Sequence, residues 1–152
     1  MASDTPRSTA SIAGHPIHAM LVPVPIVCFV GTWLSDLAYW KTAAMQWANF
    51  SAWLLAIGLI VSILVVLAGL VDFLGDRRIR AHGAGNSMAL LLAIVNAFVH
   101  SRDAYTSVVP WGLILSTLVV LILAVTLWNG AALVYRHGVG VRSEIDRDGG
   151  RR

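Results

Sequence analysis

Charge is scarce in this chain. Of 152 residues, 12% are Asp, Glu, Lys or Arg, and 57% are hydrophobic. A soluble domain covers itself with about 25% charged residues, so a water-soluble globule is excluded as the main reading. Cysteine is nearly lacking too. Cys28 stands alone inside an apolar block, which rules out a disulfide framework within one chain and makes the thiol a small buried hydrophobe. No phosphate-binding glycine loop, nucleophile–base arrangement, internal repeat or nucleic-acid motif occurs. The glycines of HGAGN, residues 82–86, follow no strand and form no dinucleotide fingerprint. Residues 1–13, MASDTPRSTASIA, lack the charged start, short apolar core and cleavage site of a secretory peptide. The first apolar block reads as an uncleaved anchor.

What is present is four long apolar blocks, at about 17–40, 50–75, 82–101 and 109–136. Each approaches the roughly 20 residues that cross a bilayer as a helix. Backbone groups cannot stay unpaired in lipid, so the blocks are helices. Span three is the shortest and borrows a turn upstream, from Ala81. Connections of roughly ten residues make consecutive helices antiparallel neighbours. The fold expected is all-α, an integral membrane antiparallel four-helix bundle. Residues 1–13 form a polar N-terminal segment, 14–138 the transmembrane domain, and 139–152 a basic tail read as disordered. Pro23 and Pro25 are expected to bend span one near its start.

Direction follows from the basic residues. Arg7, Arg77, Arg78, Arg80, Arg136, Arg142, Arg147, Arg151 and Arg152 fall on one side, Lys41 and Arg102 on the other. The richer side is the cytoplasm, so both termini are cytoplasmic. Trp33, Tyr39, Trp40, Trp47, Trp53, Tyr105 and Trp111 mark the outer headgroup level.

This topology gathers residues remote in sequence. His15 and His18 stand at the cytoplasmic mouth of span one, Asp72 near the end of span two, His82 at the start of span three and His137 at the end of span four. Residues 18 apart share a helix face, because 18 steps of about 100° make whole rotations. His18 and Asp36 are so related, as are His82 and His100, with Asn86, Ala89, Ala93 and Asn96 between the latter. On span two the matching stripe is Gly58, Ser62, Val65, Gly69 and Asp72. Such narrow small or polar faces point into a membrane bundle. Span four offers Ser116, Asn129 and His137 less regularly.

The cytoplasmic set, supported by Asn86 and Tyr135, has two readings. One is a cofactor or metal site; the other is a polar network that fixes helix packing. Imidazoles with a carboxylate suit zinc or iron and suit calcium or magnesium badly. Two imidazoles from different helices also clamp a haem iron, and Gly69, Gly83, Ala84 and Gly85 make room for the ring. At the outer end, Asp36 and His100 form a polar pair, or Asp36 pairs with Arg102, because an unpaired buried carboxylate is costly.

The stretches GHPIHAMLVPVPIV, GLVDFLGD, AHGAGN and LVYRHGVGV, in that order, resemble the DUF2231 family of small four-span bacterial membrane proteins. The resemblance runs from Gly14 to Val141. The family opening carries a proline after its second histidine, where this chain has Ala19, and a histidine before a Phe-Pro pair, where it has Pro23 and Val24. Matched by residue, the family pattern marks His15, His18, Asp72, His82, Asn86, Tyr135 and His137. Fusions of relatives to cytochrome c or Rieske-type domains imply a redox setting.

The function expected is a multi-pass protein of the bacterial cytoplasmic membrane, not an enzyme on its own. Its cytoplasmic end holds haem b or a transition metal, Fe or Zn, for electron transfer. His18 and His82 are the preferred ligands, His15 and His137 the next, and Asp72 a ligand or an acceptor that orients one. For a metal all five are candidates. The alternative is a non-catalytic accessory subunit without cofactor, in a larger membrane complex or homo-oligomer, its histidines structural. Partners are the lipid bilayer and such a complex, and no nucleic acid.

Overall fold

A computed structural model describes residues 11–12, 15–16, 20–73, 79–102 and 108–137, with side chains described at 20–67, 85–102 and 108–129. Strands β1 (Ser11–Ile12) and β2 (His15–Pro16) form a minimal antiparallel pair, with Ile12 opposite His15. Pro16 disfavours helical backbone at the residue before it, so His15 lies in this lead-in. The rest is helical. Helix α1 is Pro23–Thr42, α2 Met45–Phe73, α3 Ile79–His100 and α4 Leu113–His137, the last preceded by a kinked segment, Val108–Gly112, in which Val109 is extended (φ -112°, ψ 132°).

The prolines sit at a break in span one: Met20 and Leu21 are already helical, Val22 keeps helical dihedrals (φ -53°, ψ -39°) as a turn residue, and α1 proper begins at Pro23. Pro23 and Pro25 fall in its first turn, which begins at Pro23. The first four N–H groups of a helix have no partner within it, so a proline there loses no hydrogen bond and its fixed φ starts the helix.

The α1–α2 connection is two residues, Ala43 and Ala44, where the sequence suggests about ten. Ala43 adopts the left-handed conformation (φ 52°), and its N–H donates to the Tyr39 carbonyl at 2.7 Å. The Ala44 N–H donates to Thr42 Oγ1 at 3.3 Å. The chain therefore reverses at once, and α2 begins several residues before the apolar run proper.

Neighbouring pairs are α1–α2, α2–α3, α3–α4 and α4–α1, a closed square. Contacts fix the sense of each pair. Asp36 near the end of α1 meets Ser51 near the start of α2, while Cys28 and Phe29 meet Gly58. His100 at the end of α3 meets Gly112 at the entry of α4, and Gly85 meets Thr126. All four neighbours are antiparallel, and α1 and α3 are parallel across a diagonal.

The core is narrow. Phe29, Leu55, Ala89, Ala93, Val119 and Leu123 form it, with Cys28 beside them. Small residues set the spacing. A Cβ on Gly58 would lie 2.8 Å from Phe29 Cε1 and 3.0 Å from Cys28 Cβ. Without a strong hydrophobic drive between helices in lipid, close backbone approach and polar contacts hold such a bundle. The exterior is greasy, with Ile57, Ile60, Leu64 and Leu67 of α2 and Leu118, Leu121 and Val125 of α4 exposed.

Two helical stretches are long and apolar enough to cross a membrane by length and composition, Met45–Leu67 and Val108–Asn129. Helix α1 falls short because Thr32, Ser35, Asp36 and Lys41 interrupt its apolar run. Within α3 the described apolar stretch is Gly85–His100.

Candidate functional site

Near the end of the bundle where α1 and α3 finish, each helix contributes one polar residue to a single buried layer: Asp36 from α1, Ser51 from α2, His100 from α3 and Ser116 from α4. Asp36 is 0% and His100 2% exposed. His100 Nε2 reaches across the diagonal to Asp36 Oδ1 at 2.9 Å. Ser51 Oγ donates to the same oxygen and lies 2.9 Å from His100 Nε2. Ser116 Oγ donates to Asp36 Oδ2 at 2.6 Å. His100 Nδ1 is 3.0 Å from the Asn96 carbonyl oxygen.

These partners assign the protons. A backbone carbonyl only accepts, so Nδ1 carries a hydrogen. The Ser51 hydroxyl hydrogen is committed to Asp36, so its oxygen can meet Nε2 favourably only as acceptor. Nε2 then carries a hydrogen as well. Asp36 accepts from both serines and from His100, the pattern of a carboxylate. Asp36 and His100 thus partner each other inside the layer, which lets two ionisable groups sit inside an apolar bundle.

Of the two partners the sequence leaves open for Asp36, the structure has His100. Arg102 is exposed, in the turn that follows α3, with its backbone N–H donating to the Val99 carbonyl at 3.2 Å. Gly112 makes the ring's position possible, since a Cβ there would lie 2.8 Å from His100 Cε1. A second link joins α1 to α4, where Trp33 Nε1 donates to Thr117 Oγ1 at 3.0 Å.

The layer is not a hydrolytic triad. Serine and carboxylate both meet the Nε2 side of the imidazole, and Nδ1 is spent on backbone. Ser51 is 0% exposed and out of reach of substrate. Nor does the layer fit a metal, because its imidazole nitrogens are both occupied and it offers only one carboxylate besides. Among the described residues there is no group of three or more His, Cys, Asp or Glu able to hold an ion.

Ser51 is the member that sequence reasoning missed. It lies 11 residues before Ser62, about 20° away in helical rotation, so carrying the α2 stripe one step outward would have reached it. Asn86 is a correction. It was expected on the inward face with His82, but its side chain is exposed. Gly85, its neighbour, makes the inward contact, against Thr126. Farther along α3, Ala89, Ala93, Asn96 and His100 are all buried on one face.

Of the cytoplasmic set, His18 lies outside the described residues. His15 sits in β2, Asp72 in the last turn of α2, His82 in the first turns of α3, and Tyr135 and His137 at the end of α4, all with side chains outside the described set. The backbone brings these helix ends to the end of the bundle opposite the Asp36 layer.

A family model described as "Predicted membrane protein (DUF2231)" matches residues 14–143. The chain belongs to the DUF2231 family. No curated protein and no solved structure matches it. As a DUF2231 protein it is a membrane protein, and the buried Asp36–His100 pair is its best-defined polar feature.

Proposed function

We propose that this DUF2231 protein crosses the bacterial cytoplasmic membrane four times, with both termini in the cytoplasm. We propose further that the His15, His18, Asp72, His82 and His137 end binds a transition-metal ion for electron transfer. The observation that carries the reading is the antiparallel square. It directs the end of α2 with Asp72, the start of α3 with His82 and the end of α4 with His137 to one end of the bundle. Imidazoles with a carboxylate are a donor set for iron or zinc, and an iron ion there supplies one-electron chemistry. The chain's own residues supply the ligands and, through Asp72, an acceptor that orients an imidazole.

An ion suits this end better than haem b. Room for a ring was expected at Gly85, but Thr126 fills it, since a Cβ there would collide with Thr126 Oγ1. The test is elemental analysis with an absorption spectrum, oxidised and reduced, on protein purified from cells supplied with haem and metals. Stoichiometric iron lost in a His18→Asn, His82→Asn double variant is expected. A Soret band would move the reading to haem. Neither metal nor haem would remove it.

One observation favours the alternative of an accessory subunit. The described polar layer is closed on itself and offers no reactive group, while the apolar exterior is broad. On that reading the same double variant lowers stability and leaves the activity of each assembled complex unchanged.

A further inference from the structure

One turn inward from the Asp36 layer lies Asn96, 1% exposed. Neither Nδ2 nor Oδ1 of its carboxamide has a hydrogen-bond partner among the described residues. Buried amides are rarely left so. Every other buried polar side chain of the layer above is satisfied, so the orphan is specific to this position. Asn96 shares its helix face with Ala93 and His100, and its backbone carbonyl is the acceptor for His100 Nδ1. Thr32 lies at the same depth, one turn inward from Asp36, with its hydroxyl donating to the Cys28 carbonyl at 2.9 Å and its oxygen free to accept. Two turns further in on the neighbouring helices are the buried Ser62 and Thr126. The small side chains of Ala93, Ala89 and Gly58 keep this axis thin.

We propose that the Asn96 carboxamide binds an internal water, and that this hydrated amide and the Asp36–His100 pair form one proton-holding station in the outer half of the bundle. A buried water characteristically meets two to four polar partners. The Asn96 amide offers both a donor and an acceptor, and Thr32, one turn inward from Asp36 on α1, offers a hydroxyl oxygen. The station holds one mobile proton. In transfer the Nε2–H bond of His100 breaks and an O–H bond forms at Asp36 Oδ1, turning an ion pair into a neutral pair with no change in total charge. Among the described residues no other charged group faces it. On α1 the nearest is Lys41, exposed and 4.3 Å from the centre of the Trp40 ring. Arg102 follows α3 and is exposed, and the described parts of α2 and α4 that pack on the layer, Met45–Leu67 and Val108–Asn129, carry none.

Proton-detected solid-state NMR on the isotope-labelled full chain in lipid bilayers tests this. Magnetisation passed from water is expected to reach the Asn96 side-chain amide about as readily as that of exposed Asn49, and both ring nitrogens of His100 are expected to carry hydrogen. A dry Asn96 beside a wet Asn49, or a His100 without hydrogen on Nδ1, would overturn the proposal. In Asn96→Leu, transfer from water to Thr32 is expected to vanish, and its persistence would count against the site. The wild-type measurement decides the matter if that variant does not fold.

Discussion

Asp36 concentrates the energetics of single residues in this bundle. It accepts from His100, Ser51 and Ser116 at once, so truncating it strands three donors in an apolar interior. Asp36→Ala is expected to cost about 3 kcal/mol, the scale for breaking a buried ion pair by removing one member. In a double-mutant cycle, Asp36→Asn and His100→Gln should couple by about 0.5–3 kcal/mol, as contacting residues do. Arg102→Ala, at an exposed position, should stay within about 0.5 kcal/mol. Reversible unfolding in detergent measures all of these. A large effect of Arg102→Ala with a small coupling between Asp36 and His100 would reinstate the arginine as the partner. The pair itself was legible in the sequence, because a carboxylate among apolar residues demands a partner. Its serines were not both legible, since a serine inside a membrane helix can equally satisfy itself on its own backbone, as Thr126 does with the Ile122 carbonyl at 2.7 Å.

Helices and their junctions carry a different kind of information. Ala43 ends α1 with φ 52°, a conformation that costs an L-residue roughly 1–2 kcal/mol. Ala43→Gly should therefore stabilise the protein by about 0.5–1 kcal/mol, read as a rise in unfolding midpoint. A fall would mean that the turn is not left-handed. Gly58→Ala should do the opposite, costing about 1–3 kcal/mol by overpacking Phe29 and Cys28. Combining it with Phe29→Leu should recover part of that loss. The helices themselves were legible because lipid allows apolar blocks no other form. Two details were not. The proline pair marks where the helical chain from Met20 breaks at Val22 and resumes at Pro23, and the sequence alone does not say whether such a pair interrupts a span or only begins its main helix. The sharp reversal at Ala43 has no glycine to announce it.

At the scale of the whole molecule, the account is one of two opposed ends. One end has a closed polar layer whose four members come one from each helix. The other end receives the helix termini bearing Asp72, His82 and His137. The α3 stripe was right from Ala89 to His100 but not at Asn86, which is exposed while Gly85 beside it makes the inward contact with Thr126.

Membrane sidedness therefore tests the account most directly. Single cysteines introduced at Thr42, Ser101, Arg80 and Ser143 in a Cys28→Ser chain can be labelled with a membrane-impermeant thiol reagent on intact spheroplasts. Four antiparallel crossings predict labelling at Thr42 and Ser101 from outside, and at Arg80 and Ser143 only after the membrane is opened. Labelling of Ser101 and Ser143 from the same side would contradict the account, because α4 would then not cross and the two ends would not be separated by the bilayer.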